Sequence, residues 1–277
     1  MNRELVNKSI RELYRVLKPW RVRSYTEEFS MGASIDEVWR QPIVGIQNLV
    51  RRIAAHYQLS AVAVIVDFSD TLEVPGRVEL SHSDDFFVEL QRKHRYAPKA
   101  VGAILAHEVA HVFLHRAGIR FPVEFENEIL TDTTAAYLGF GSTILNAATE
   151  SKEYPSHNVV RTRSNHFGYI DLTEFGYIVA KREKLLNSDF TSTLDSGPAL
   201  TNVQYGRSIL QRELNSRPFV IRRFHQRLLH TITGNGRSDR KITFSCPCCS
   251  QGLRVPETHQ KLSVHCQTCD SRFICYT

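Results

Sequence analysis

Cysteine is absent from the first 245 residues of the 277-residue chain, and all six cysteines lie in the last 32. Disulfide bonds therefore cannot stabilise the larger part of the protein. The sequence also lacks an apolar run long enough to cross a membrane, and its first 19 residues mix charged and apolar side chains without a secretory hydrophobic region. These absences predict a cytoplasmic protein that has no membrane partner.

The composition is that of a globular protein. Hydrophobic residues make up 42% of the chain and charged residues 23%, and the formal net charge is +6. A chain of this length can form one substantial hydrophobic core and a small appendage.

A His-Glu-x-x-His motif lies within an apolar run that has helical spacing. Because residues four apart share one face of a helix, His107 and His111 can bind the same metal ion. Glu108 then lies beside the ion, where it can take a proton from an attacking water molecule. The motif therefore predicts a zinc-dependent hydrolytic site in which Glu108 is the catalytic base.

A second motif follows 17 positions after His111, on another helical pattern. Glu128 is the predicted third zinc ligand, and Asp132, one turn further on, is placed to accept the outward N–H of a ligating histidine. Other side chains nearby could replace Glu128, although among the carboxylates only Glu128 has an aspartate four residues on. These alternative ligands are Glu124, Glu126 and His115.

Together, the two motifs resemble those of the gluzincin metallopeptidases, the thermolysin-like group. The resemblance rests on residues 107–111 and 127–132 and covers approximately residues 60–145. It implies a zinc-dependent peptidase with a small sheet whose edge strand pairs with the substrate backbone. It also implies a downstream histidine or tyrosine that stabilises the oxyanion. The candidates for that role are Tyr154, His157, His166 and Tyr169.

The remaining pattern of the first 190 residues predicts an α+β domain. Helices are expected at residues 3–17, at 34–54 with a kink or restart at Pro42, and at 172–186, where one face should pack on the zinc helices. Three short segments predict the strands of a small mixed sheet ahead of the His-Glu-x-x-His helix. Residues 61–66 and 86–90 are apolar stretches, and residues 76–80 alternate between apolar and polar side chains. Residues 150–166 are predicted to form a surface loop.

Positive charge is concentrated after residue 206. Residues 188–203 have the composition of a loop or partial linker, and residues 207–241 carry nine basic and two acidic residues. A basic helix is expected at residues 219–232. Its basic side is either solvated or in contact with nucleic acid or an acidic protein. We therefore divide the chain into a peptidase domain (1–190), a basic linker or helical segment (191–241) and a C-terminal module (242–277).

The C-terminal module resembles a zinc ribbon. Two Cys-x-x-Cys pairs, Cys246 with Cys249 and Cys266 with Cys269, have the spacing of a closed four-thiolate site. Cys248 and Cys275 are extra to this set. Residues 253–256 and 262–264 are expected to form the hairpin strands that bring the two pairs together. Because so small a module buries little core, its zinc should be structural.

These features predict an intracellular metallopeptidase with one catalytic and one structural Zn²⁺. Its substrate would be a peptide or protein, and residues 207–277 could bind nucleic acid or an acidic protein. One alternative is a SprT-like protease that acts on DNA-bound proteins, although that group uses a histidine where this chain offers Glu128. Another is a non-catalytic regulator that binds nucleic acid or protein and retains the metal fold.

Overall fold

The protein has a mixed α+β fold with a small sheet. A computed structural model describes residues 2–32, 34–59, 61–80, 85–149, 151–154, 159–162, 167–215, 241–257 and 261–276. The helices are α1 (Arg3–Leu17), α2 (Pro19–Arg23), α3 (Ser34–Arg40), α4 (Pro42–His56), α5 (Pro98–Ala117), α6 (Glu124–Ala135), α7 (Gly141–Ala148), α8 (Leu172–Leu186) and α9 (Gly197–Asn215). The strands are β1 (Ala63–Ser69), β2 (Gly76–Glu79), β3 (Asp85–Gln91), β4 (Ser151–Tyr154), β5 (Val159–Thr162), β6 (Lys241–Ser245), β7 (Gly252–Pro256), β8 (Lys261–His265) and β9 (Arg272–Tyr276).

The three strands predicted before the His-Glu-x-x-His helix form one mixed sheet in the order β1-β3-β2. The central strand β3 pairs parallel to β1 and antiparallel to β2. Its alternate residues Phe86, Val88 and Leu90 are buried, which places one face of the sheet on the core. Strands β1 and β2 are therefore the two edges of this sheet.

Helix α5 carries the His-Glu-x-x-His motif through the middle of the core. It begins with Pro98 in its first turn and ends at Gly118, which adopts the left-handed conformation with φ 65°. Most of its residues are buried, since it packs against β2, β3, α4, α6 and α7. A helix enclosed in this way is expected to be apolar on nearly all sides, so two histidines within it are unusual.

Helix α6 continues through a π-helical segment, Ala136–Phe140, into α7. Gly139 lies in this segment with φ 118°, where a Cβ atom would come within 2.7 Å of both the Glu27 carbonyl oxygen and His56 Nε2. Glycine is therefore required at this position. His56 Nε2 bonds to the Leu138 carbonyl oxygen at 2.8 Å and so satisfies one acceptor at the irregular turn.

Residues 34–54 form two helices, α3 and α4, which confirms the predicted restart at Pro42. Other sequence-based expectations need correction. Residues 197–203, predicted as loop or linker, are the first turns of α9. Strands β4 and β5 pair antiparallel within the predicted surface loop 150–166. The predicted basic helix 219–232 lies outside the described residues.

Helix α8 forms where the sequence predicts it, but its main contacts differ from the prediction. It packs chiefly along α9, and also on α7, the π-helical segment and α1. A close approach of Gly176 and Gly206 lets α8 and α9 meet, since a Cβ atom on Gly206 would lie 2.3 Å from the Gly176 backbone. Arg207, the first residue of the basic stretch, binds Glu183 and Asp189. No described helix is both long and apolar enough to cross a membrane.

The C-terminal module consists of two hairpins. Strand β6 pairs with β7, and β8 pairs with β9, so the predicted strands 253–256 and 262–264 belong to different hairpins. Each Cys-x-x-Cys pair occupies the turn of one hairpin. The residue after each pair, Ser250 or Asp270, has a positive φ of about 60°, which shows that the two turns share one geometry.

A buried ion pair connects α8 to the segment after α2. Arg182 pairs with Glu28, and both side chains are 1% exposed. The Arg182 guanidinium also donates to the carbonyl oxygens of Tyr25 at 2.9 Å and Glu27 at 2.6 Å. The Glu27 carbonyl oxygen is also one of the atoms that would lie too close to a Cβ atom at position 139. This ion pair therefore supports the irregular turn that follows α6.

We expect Arg182→Ala to destabilise the fold by about 3–5 kcal/mol, because it leaves the buried Glu28 carboxylate without its partner. Urea unfolding measures the change in unfolding free energy. The double variant Arg182→Met with Glu28→Gln should recover part of the loss. Arg15→Ala, which removes an exposed pair with Glu12, is the control and should unfold like the wild type; an equal loss in both single variants would contradict the role of burial.

Candidate metal centre

Helices α5 and α6 cross so that three ligand atoms converge. His107 Nε2 and His111 Nε2 lie 3.1 Å apart, and Glu128 Oε2 lies 3.2 Å from the first and 3.3 Å from the second. Ligands that bind a zinc ion tetrahedrally at about 2.0–2.1 Å are separated by about 3.3 Å. The three atoms could therefore hold one metal ion, with a fourth direction left open.

The alternative ligands do not join this group. His115 lies one turn along α5, where its ring meets the edge of the Phe86 ring. Glu126 forms an ion pair with Lys8 at 2.7 Å, and Glu124 is exposed on the wall of the cleft. Of the four candidates for third ligand, Glu128 alone reaches both histidines.

Hydrogen bonds on the far side of each imidazole set its tautomer. Asp132 Oδ1 lies 2.7 Å from His107 Nδ1 and accepts a hydrogen bond from its N–H group. Thr131 Oγ1 lies 3.2 Å from His111 Nδ1, and its hydroxyl donates to the Asn127 carbonyl oxygen at 2.8 Å. The Thr131 oxygen can therefore accept a hydrogen bond from the Nδ1–H group of His111. Both Nε2 lone pairs then face the site, as metal binding requires.

The role of Thr131 is absent from the sequence analysis, although a signal for it exists. Thr131 follows Glu128 by three residues, so it lies on the same face of α6. It occupies the position just before Asp132 in the second motif. The need for a hydrogen-bond acceptor at each of the two histidines, rather than at one, would have indicated Thr131.

Asp132 also fixes the chain segment that covers the site. Its second carboxylate oxygen accepts the backbone N–H groups of Tyr169 and Ile170. Gly168, with φ 100°, permits this approach, since a Cβ atom there would lie 2.5 Å from Asp132 Oδ1. The Tyr169 ring consequently stacks on His107, with ring centroids 6.2 Å apart and planes at 25°.

Among the four candidates for oxyanion stabilisation, the structure brings Tyr169 to the metal centre. Its ring is 47% exposed and lines the cleft. Burial raises the pKa of the Tyr169 hydroxyl, and the carboxylates of Glu128, Asp132 and Glu108 add to the effect. The hydroxyl therefore stays protonated at neutral pH. Tyr154 is described only as part of β4, and His157 and His166 lie outside the described residues.

Glu108 is held between the metal centre and the edge strand β2. Its side chain is buried, and burial raises its pKa despite the nearby histidines. The backbone N–H of Val78 donates to its carboxylate. Gly76 makes this contact possible, because a Cβ atom there would lie 2.5 Å from Ile104 Cγ2 and 2.9 Å from Glu108 Oε1. The edge strand thus orients the carboxylate next to the metal ligands.

The electrostatics of the three ligands favour a positive charge between them. Burial alone lowers the pKa of His107, but Asp132 and Glu128 outweigh it and raise that pKa well above its usual value. Burial likewise opposes ionisation of Glu128, yet hydrogen bonds from His107 and His111 lower its pKa to about 2. Without a metal, the site therefore retains a proton on an imidazole, and a divalent cation would replace that proton.

A cleft runs over these residues between β2 and the loops that follow α5 and precede α8. Its walls include Val74, Val78 and Leu80 on one side and Tyr169 on the other, with His107 and Glu108 at its base. Comparisons of the chain with protein families, curated proteins and solved structures found no match.

The four paired cysteines form a second group that could hold a metal ion. Cys246, Cys249, Cys266 and Cys269 are all buried, and their sulfur atoms lie within 4.8 Å of one another. The sulfur atoms of Cys246 and Cys269 lie 3.5 Å apart and those of Cys249 and Cys266 lie 3.7 Å apart, close to the value of about 3.8 Å for tetrahedral zinc thiolates. Cys248 is also buried but lies outside this group, and Cys275 is placed only by its backbone in β9.

We expect Glu128→Ala to reduce the bound metal from two equivalents to one, because it removes one ligand from the α5–α6 centre and leaves the cysteine centre intact. Elemental analysis of the purified protein measures the count. Glu124→Ala and Glu126→Ala are matched controls on the same helix and should keep two equivalents. Retention of both metals by Glu128→Ala would contradict the ligand assignment.

Proposed function

We propose that the protein is a zinc-dependent metallopeptidase of the gluzincin type. The observation that carries this proposal is the triangle of His107, His111 and Glu128 ligand atoms with the Glu108 carboxylate beside it. Two histidines, one carboxylate and an open position form the ligand set of catalytic zinc in peptidases. The motif resemblance supports the same family, since Asn127, Glu128 and Asp132 occupy matching positions.

When bound, the zinc ion polarises the scissile carbonyl and makes the attacking water more acidic. Glu108 takes the proton from that water and delivers it to the leaving amine. The Glu108 carboxylate suits this exchange because it lies beside the three candidate ligands, within reach of a water molecule in the open position. The Val78 N–H keeps the carboxylate directed at the site.

The edge strand β2 is the proposed site for the substrate backbone. It lines the cleft and pairs with β3 on one side only within the described sheet. An extended peptide could add to its open edge through main-chain hydrogen bonds. The scissile carbonyl would then lie over His107, where the Tyr169 hydroxyl is the proposed partner of the developing oxyanion.

The proposed role of the cysteine centre is structural, with a zinc ion bound by four thiolates. A closed set of four buried sulfur ligands leaves no position for substrate. The proposed contact of residues 207–277 with nucleic acid or an acidic protein remains a prediction. Arg207 contributes little to such a surface, because Glu183 and Asp189 already bind it.

We expect Glu108→Gln to lower peptide hydrolysis by about 100- to 10,000-fold while both metals remain bound, because glutamine cannot carry the proton. A fluorogenic peptide library measures hydrolysis, and elemental analysis measures the metal. Glu124→Gln, which changes a carboxylate on the cleft wall away from the ligands, should keep most of the activity. Full activity in Glu108→Gln would remove Glu108 from the mechanism.

Gly76→Ala should lower kcat/KM by about 100-fold with the metal retained, because the added methyl group pushes β2 or Glu108 away from the reacting position. The matched control is Gly197→Ala, since no atom lies within 4 Å of a Cβ added at Gly197. The same peptide assay and metal count apply. If Gly76→Ala also lost metal, the effect would come from general disruption of the site.

A further inference from the structure

The first hairpin of the C-terminal module is docked on the peptidase core through Ser250, the residue that directly follows Cys249. The Lys181 ammonium group on α8 donates to Ser250 Oγ, which in turn donates to Asn7 Oδ1 at 2.9 Å. The Arg11 guanidinium reaches the Ser250 carbonyl oxygen at 3.4 Å. The turn that carries Cys246 and Cys249 therefore contacts both α1 and α8.

Lys181 is fully buried, with 0% of its side chain exposed, and its ammonium group also lies 5.2 Å from the centre of the Tyr177 ring. A lysine rarely occupies such a position, because burial of an ammonium group is costly unless negative charge or hydrogen bonds offset it. Its neighbour Lys184 on the same helix is exposed. Burial is therefore specific to the position of Lys181 on α8.

The cysteine cluster lies against the same wall of the core. The four paired cysteines are 0% exposed. Beside them, the hydroxyl groups of Tyr14 on α1 and Tyr137 in the π-helical segment are bonded to each other at 3.1 Å. Burial raises the pKa of both tyrosines well above its usual value, and the charge of nearby cysteine sulfurs raises it further. Two tyrosine hydroxyl groups of the core therefore lie near the cysteine sulfurs, and the Lys181 ammonium and Arg11 guanidinium groups reach the residue that follows Cys249.

A divalent metal ion bound to four thiolates carries a net charge of −2. Removing a dianion from water is unfavourable unless positive charge lies close to it. The Lys181 ammonium contacts the residue next to Cys249, inside the same water-poor region, where electrostatic attraction is stronger than at the surface.

We propose that Lys181 belongs to the cysteine metal centre as a positioning residue that supplies positive charge opposite the metal–thiolate cluster. The peptidase core thereby completes a metal centre whose ligands all come from the C-terminal module. It follows that the core strengthens metal retention by the cysteines. By linkage, the bound metal strengthens the docking of the module on α1 and α8.

Cobalt(II) provides a direct test, because thiolate-to-cobalt charge-transfer absorption reports the cysteine centre and not the His107–His111–Glu128 centre. The full-length protein is loaded with cobalt(II), and the decay of this absorption is followed after excess EDTA is added. We expect Lys181→Met, which keeps the length of the side chain without its charge, to lose the metal about tenfold faster than the wild type. Lys184→Met is the control on the same helix and should match the wild type.

Two more variants separate charge from packing. Lys181→Arg retains the charge and should remain within about threefold of the wild-type rate. Ser250→Ala removes the hydroxyl that joins the ammonium group to the hairpin and should accelerate metal loss, but less than Lys181→Met does. Because Ser250→Ala leaves the buried lysine in place, it also tests the contact if Lys181→Met fails to fold.

Unchanged metal loss in Lys181→Met and Ser250→Ala would overturn the proposal. Equal acceleration in Lys181→Met and Lys181→Arg would also overturn it, since packing rather than charge would then be responsible. The proposal assumes that the four cysteines hold a divalent metal, and a wild-type protein without the charge-transfer absorption would refute that assumption. No measurement here uses peptide hydrolysis, so failure of the proposed peptidase function would leave the result unaffected.

Discussion

The convergence of three ligand atoms from two helices is the constraint on which the rest of the structure depends. His107 and His111 are brought together by the pitch of a single helix, but Glu128 reaches them only if α6 crosses α5 at one place and in one orientation. The separations of 3.1–3.3 Å among the ligand atoms leave little freedom for either helix. The core must therefore fix the crossing before any metal binds.

Many of the buried polar side chains help to hold α5 and α6 in this arrangement. Asp132 orients His107 with one oxygen and holds the Tyr169 segment with the other, so a single carboxylate aligns a ligand and the cover of the site. Beyond it, the π-helical segment, Gly139 and the Arg182–Glu28 pair determine how the chain leaves α6. Two of these features have specific partners, since His56 bonds to the Leu138 carbonyl oxygen and Glu28 pairs with Arg182. Polar and strained residues in this core thus preserve the geometry of the ligands.

Features that depend on residues close in sequence could be predicted more often than features that depend on contacts between distant residues. The proximity of His107, His111 and Glu128 could be predicted because helical spacing and second-motif spacing are properties of neighbouring residues. The three strands could be predicted because each has a short apolar or alternating pattern. The strands that pair with residues 253–256 and 262–264 could not be predicted, since strand pairing depends on contacts between distant residues. Helix α9 was missed for a related reason. Gly197 and Pro198 resemble loop residues, but tertiary packing of Gly206 against Gly176 outweighs local preference.

Helix α6 and the π-helical segment after it carry side chains that lie near both candidate metal centres. Asp132, which orients His107, and Tyr137, which lies against the cysteine cluster, are five residues apart, or about 7 Å along a helix axis. Helix α1 packs on α6 and also supplies Tyr14, Asn7 and Arg11 to the wall that receives the C-terminal module. A displacement of this wall would act on the helix that carries Glu128 and Asp132. Helix α1 therefore lies between α6 and the turn of the C-terminal module that carries Ser250.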